Sequence, residues 1–216
     1  MQDFINKFIN EYKIEPNRFS CLIIALTDAR RITGRNINTG EHELNILEAQ
    51  NTFFNPYSFI GAINYLLILD MIGEIFGTTS KTINKRKITN TYKALKYFSS
   101  VSDQDIDTII ALRNSLAHNY GLINIPSAKE INTKQHKFTL DNSDTTNLIL
   151  YPVSGVWNGD FNDKSQDTST KISYERLIDL IEAVYLEMKA EQVKGNLFLS
   201  LLGGIDELKA RFTIRN

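Results

Sequence analysis

LRNSLAHNYGL, Leu112 to Leu122, closes a segment in which Ile106, Ile109, Ile110, Leu112, Leu116 and Ala117 recur at intervals of mostly three and four. That spacing predicts an amphipathic helix from Asp105 to Tyr120 with one buried stripe. Ser102 followed by Asp105 fits a capping box at its start, and Gly121 is expected to take the left-handed conformation that ends it. At the helix end, Arg113, Asn114, His118 and Tyr120 lie within eight positions. Arg113 and His118 are five residues apart, so on a straight helix their directions differ by about 140°. They form a band rather than a row, and a second copy of the band is one way to complete it.

Toward the N-terminus helical spacing continues. Phe4, Ile5, Phe8, Ile9 and Tyr12 mark a first helix ended by Pro16 and Asn17, and Phe19 to about Thr33 a second, with Arg30 and Arg31 at its dipole-favoured end. The polar GRNINTG reads as a loop, and Glu41 to about Phe54 as a third helix with Leu44, Leu47 and Phe54 inward. Tyr57 to Phe76 is so apolar that it reads as the central helix of a bundle. After Gly121 the period shortens: HKFTLD, His136 to Asp141, and TNLILY, Thr146 to Tyr151, read as strands joined through NSDT, with Val153 to Trp157 as a third short one. A polar tract, NGDFNDKSQDTST, follows as a loop. Tyr174, Leu177, Ile178, Ile181, Val184, Tyr185 and Met188 then place a last long helix at Ser173 to Val193, before the short apolar run Leu197 to Leu202 and the amphipathic tail IDELKARF. The expected fold is all-α: a bundle of about six helices forming a single domain over residues 1–216, with a small β-hairpin insertion and polar loop at about 130–170.

Composition narrows the functional classes. The chain of 216 residues is 42% hydrophobic and 23% charged with four prolines, which suits one sizeable core and not disorder. A formal net charge of -1 argues against tight, unspecific binding of long nucleic acid. The single cysteine, Cys21 in FSCLIIAL, reads as a small buried hydrophobe and can form no internal disulfide. MQDFINKFINEY lacks the apolar core of a signal peptide, and Phe53 to Phe76 is interrupted by Asn55, Pro56, Asn64, Asp70 and Glu74, so no membrane partner and a cytoplasmic location are expected. Lys81, Lys85, Arg86, Lys87, Lys93 and Lys96 fall in Lys81 to Tyr97 with no acid among them. Two readings fit that asymmetry, a solvated helix face or a phosphate-binding strip for RNA.

The pattern Arg113, Asn114, three residues, His118, one residue, Tyr120 resembles the R-x4-6-H signature of the HEPN superfamily. Its members are helical bundles and include metal-independent ribonucleases of toxin-antitoxin, abortive-infection and CRISPR-associated systems. In that family the residue after the arginine is commonly asparagine, aspartate or histidine, as Asn114 is here. The form R-x4-H-x-Y, matched by Arg113, His118 and Tyr120, is similar to that of toxins paired with a nucleotidyltransferase antitoxin, in which the tyrosine can receive adenylate groups. The match spans eight residues, and the chain departs from those small toxins in its length and its β insertion. The resemblance implies a metal-independent endoribonuclease of toxin or phage-defence type, a homodimer with a composite site, and possible pairing with such an antitoxin.

The chemistry is coherent on the residues alone. Cleavage of RNA by its own 2'-hydroxyl needs a proton acceptor, a donor to the leaving 5'-oxygen, and positive charge at the pentavalent phosphate. Histidine serves either proton role near neutral pH, and arginine offers a permanent fork of donors to phosphate. Asn114 can orient His118 or bond the RNA backbone, and Tyr120 can donate to phosphate or stack on a base. A purely structural reading also fits: His118 bonding a nearby carbonyl, Arg113 paired with Asp107 or Glu175, Tyr120 half-buried. So does a helical module that binds RNA or nucleotide without cutting it. No cofactor and no metal are expected: His42 in GEHEL lacks H-E-x-x-H spacing, His136 falls in a strand, Gly73 to Gly77 and Gly203–Gly204 lack the lysine of a phosphate loop, and Asp103, Asp105 and Asp107 suit a helix start.

Overall fold

The computed structural model describes residues 2–42, 58–83, 88–126, 134–141, 146–153, 157–163 and 168–216. Among these it has seven helices and nine strands in three sheets, 52% helical and 17% strand. The all-α expectation is therefore corrected to a mixed α/β architecture. The strands are mostly two to four residues long, too short to carry a period of their own, and apart from the β1–β2 hairpin they are paired with strands farther along the chain. The chain divides into two compact units, residues 1–100 with 181–216, and residues 101–180.

In the first unit, α1 (Gln2–Asn10) is followed by β1 (Lys13–Glu15) and β2 (Arg18–Ser20). Pro16 and Asn17 are the hairpin turn between them, so the punctuation read as a helix stop also reverses the chain. β2 pairs antiparallel with β9 (Thr213–Arg215), just past the expected amphipathic tail, which forms α7 (Gly204–Arg211). Helix α2 (Cys21–Thr33) is capped by Ser20, whose hydroxyl accepts from the Ile23 amide at 3.2 Å and donates to the Phe8 carbonyl at 2.7 Å. The central apolar helix is α3 (Phe59–Ile75), buried on several sides through Ala62, Tyr65, Leu66, Ile68, Leu69 and Ile72, and packed against α2 and α4 (Asn90–Phe98). Gly73 lets α4 approach: a Cβ there would lie 1.9 Å from the Asn90 carbonyl oxygen. β3 (Phe76–Thr78) pairs with β8 (Leu197–Leu199). The expected third helix, Glu41 to Phe54, lies outside the described residues from 43 onward; Glu41 is not helical and His42 forms a β-bridge with Arg35.

The second unit holds α5 (Asp103–Asn119), β4 (Ile123–Asn124), β5 (His136–Asp141), β6 (Ile149–Leu150) and β7 (Thr170–Ser173), and the division falls within α6 (Tyr174–Val193). β5 has the boundaries read from HKFTLD. The expected hairpin does not form, because the order is β4-β5-β7-β6: β7 lies between β5 and β6, parallel to the first and antiparallel to the second. Phe138 and Ile172 supply buried apolar residues on these strands, which gives β5 a better partner than the short, half-exposed β6. Of the third short strand, Val153 is a turn and 154–156 lie outside the described residues. In the polar tract, Asn158 accepts from the Asp160 amide and Asp160 from the Asn162 amide, beside the buried Trp157.

Candidate functional site

α5 begins as its capping box requires: the Ser102 hydroxyl accepts from the Asp105 amide at 3.2 Å and donates to Asp105 Oδ2 at 2.8 Å. The Tyr151 hydroxyl donates to Asp105 Oδ1 at 2.7 Å, with Thr108 Oγ1 3.0 Å away. Burial is the main cause that pushes the Tyr151 phenol well above its ordinary value. Asp105 is thus held by capping and by Tyr151. Along the helix Ile106, Ile109, Ala111, Leu112 and Leu116 are buried, while Ala117, expected on the same stripe, is exposed.

The helix end departs from its expected stop. Tyr120, not Gly121, takes the left-handed conformation, at φ 49° and ψ 39°, and is the sole non-glycine residue of positive φ among the described residues. A bulky side chain there costs about 1–2 kcal/mol, so neighbouring bonds must hold it. The Tyr120 amide donates to the Leu116 carbonyl at 3.1 Å and the Gly121 amide to that of Ser115 at 3.3 Å. The buried Ser115 hydroxyl sits 2.7 Å from the Gly121 carbonyl and 2.9 Å from that of Ile123, tying the helix exit to β4. Ser115 was not singled out from sequence, although a serine inside an apolar stripe, just before Leu116, signals a buried hydroxyl needing a partner.

This exit places the motif side chains. Arg113 and Asn114 are half-buried, His118 is exposed, and Tyr120 is 62% exposed. Despite their divergent directions on the helix, Arg113 Nη1 reaches His118 Nε2 at 2.9 Å, since the long arginine stem wraps around the helix surface. The same Nη1 donates to Asn114 Oδ1 at 3.2 Å, so Asn114 positions the arginine. A guanidinium can only donate, so Nε2 accepts and the neutral ring carries its proton on Nδ1. The product is a cation and a proton acceptor in contact at the surface, a pair able to hold a phosphate oxygen and take a proton beside it.

The basic strip is divided. Lys85, Arg86 and Lys87 lie outside the described residues. Lys81 precedes α4 rather than lying on a helix, and its ammonium donates to the Ser99 carbonyl at 2.9 Å. Lys93 and Lys96 are half-buried on α4, with Lys93 Nζ 3.2 Å from Asn90 Oδ1. These lysines belong to the first compact unit, Arg113 and His118 to the second. His136 is buried in β5, stacked on Phe138 at 5.0 Å, with Nδ1 3.0 Å from Thr170 Oγ1; burial first, and then the charge of Lys134, pulls its pKa down to about 4. Among the described residues no group of three or more His, Cys, Asp or Glu is placed to hold a metal ion, and no helix is long and apolar enough to cross a membrane. Comparison of the chain with protein-family models, with curated proteins and with solved structures gives no match.

Proposed function

We propose that this protein is a metal-independent endoribonuclease of HEPN type, acting on RNA in the cytoplasm as a toxin or phage-defence nuclease. The observation that supports this reading is the 2.9 Å contact between Arg113 Nη1 and His118 Nε2 at an exposed helix end. A phosphodiester entering here competes for the guanidinium, and its oxygens are the stronger acceptors because they are charged. Transfer of Arg113 to the phosphate frees Nε2, which takes the proton of the ribose 2'-hydroxyl. The 2'-oxygen then bonds to phosphorus as the bond to the 5'-oxygen breaks, leaving a 2',3'-cyclic phosphate. The departing 5'-oxygen needs a proton, and one His118 cannot be base and acid in the same step. A second copy of the chain supplies the second His118, protonated, and a second Arg113 against the negative charge on phosphorus.

Purified protein is expected to cut single-stranded RNA in excess EDTA and to leave cyclic phosphate ends, with His118→Ala reducing the rate about 10³-fold. Full activity in His118→Ala, contaminating nuclease excluded, refutes the assignment. RNA binding that needs Arg113 but yields no product would instead support a binding module.

A further inference from the structure

The β3–β8 pair and α4 assemble a surface that the lysine strip alone does not define. Lys96 and Tyr97 follow Lys93 by three and four positions, on the side of α4 opposite the buried Thr91, Ala94, Leu95 and Phe98. The Lys81 ammonium sits on the carbonyl of Ser99, the C-terminal cap of that helix. Across β3 and β8, Gly77 is the register partner of Phe198. A Cβ at Gly77 would fall 2.4 Å from the Phe198 ring, so only glycine lets that ring lie across the strand. Phe198 remains 40% exposed and meets Tyr97 edge to face at 6.5 Å between centroids, with 80° between planes. Two partly exposed aromatic rings are thus set beside three lysines.

Acids flank this strip from outside it, and Glu74 is close enough to feel the charge of Lys93 as well as that of Arg211. Lys81 to Tyr97 itself contains no acid. Glu74, bonded to Asn90, is held by Arg211 at 2.8 Å, and Glu191, bonded to Ser80, by Lys194 at 2.9 Å. Aromatic faces alternating with lysines suit a chain that offers unstacked bases and a phosphate at every step, which is single-stranded nucleic acid. A duplex hides its base faces, and an acidic protein surface would make no use of two rings presented together.

We infer that Tyr97 and Phe198, flanked by Lys81, Lys93 and Lys96, form a stacking platform for single-stranded RNA. The choice of RNA rests on the proposed nuclease reading; the platform rests on the rings and lysines of the first unit. Covering Gly77 needs only apolar bulk, so leucine at position 198 can keep the fold while removing the stacking face.

The test is fluorescence anisotropy of a fluorescein-labelled twelve-nucleotide oligouridylate, titrated with full-length His118→Ala protein so that nothing is cut, with thermal unfolding recorded for each variant. Tyr97→Leu and Phe198→Leu are each expected to weaken binding about tenfold, while Tyr97→Phe binds as the parent does. Lys96→Gln is expected to flatten the salt dependence by about 0.7 in log–log slope. Unchanged affinity in a folded Tyr97→Leu protein overturns the platform, even if Phe198→Leu fails to fold. So does an equal loss in Tyr97→Phe, or a duplex of the same length bound as tightly and with the same sensitivity to Tyr97→Leu. Binding that follows these variants, in a protein that cuts no RNA, keeps the platform and removes the nuclease reading. Cleavage lost in His118→Ala, with binding indifferent to both rings, does the reverse.

Discussion

Two arginines of this protein sit in opposite settings. Arg30, 4% exposed in the first unit, uses all three guanidinium nitrogens: Nε and Nη2 clamp the two oxygens of Glu182 at 2.8 and 2.6 Å, and Nη1 donates to the carbonyls of Ile37 and Asn38 at 3.0 and 3.1 Å. The Tyr65 hydroxyl completes the carboxylate at 2.7 Å. Arg113, in the second unit, stands half-buried at a helix end and reaches two neutral side chains of its own helix, Asn114 and His118. The first is locked to Glu182, 152 residues away in the chain, and moving it would strand a buried carboxylate. The second has, among its partners, two side chains of its own helix. From sequence they looked alike, each a cation in the last two turns of a helix; burial and the identity of the acceptors separate them.

The sharpest way to break the comparison is to remove each side chain. Arg30→Ala should lower the free energy of unfolding by about 3–5 kcal/mol, because Glu182 is left charged, buried and short of its partner. Arg113→Ala should change it by less than about 1 kcal/mol while RNA cleavage falls about 10²–10³-fold. Urea denaturation of both variants decides, and comparable destabilisation would erase the distinction.

Acid pH separates the two units next. His136 of the second is neutral when folded, with its pKa near 4 against about 6.5 when unfolded, so protons favour the unfolded chain. Stability from this residue is complete above about pH 6.5 and declines as pH falls toward 4, by on the order of 2–3 kcal/mol, and His136→Gln should flatten that window. In the first unit the hydroxyls of Ser80 and Thr78, then Lys194, hold Glu191 down to about 2. Its contribution is complete above about pH 4.5 and is lost as pH falls toward 2, and Glu191→Gln should flatten only this lower window. Thermal unfolding from pH 7 to 3 reads both.

The smallest effect concerns the strain beside Arg113. Tyr120→Gly should stabilise the protein by about 0.5–1 kcal/mol, since glycine accepts the φ of 49° freely. Destabilisation would mean that the Tyr120 ring contributes more packing than its exposure suggests.

Helices that bury a continuous stripe were legible in the chain. α2 was expected at Phe19 to Thr33 and spans Cys21–Thr33; α6 was expected at Ser173 to Val193 and spans Tyr174–Val193. HKFTLD was legible as a strand because buried His136 and Phe138 alternate with half-buried Lys137 and Thr139. The stretch Lys81 to Tyr97 was not: its helix begins only at Asn90, after the Thr89 cap, and Lys81 serves the opposite end of that helix. Phe198 carried no signal as a partner of Tyr97, since 101 positions separate them.

By itself the sequence determined the local elements whose physics is local: the apolar stripes of α2, α5 and α6, the Ser102 cap, and the cluster Arg113, Asn114, His118 and Tyr120 on one helix end. Side chains three to five positions apart on a helix are neighbours whatever the rest of the chain does. Only the tertiary structure decided that the fold is mixed α/β, that β5 pairs with β7 rather than β6, that Tyr120 bears the left-handed turn, and that Arg30 belongs to Glu182. Each of these depends on which distant groups compete for the same backbone bond or the same buried charge, and that competition is settled by packing rather than by spacing along the chain.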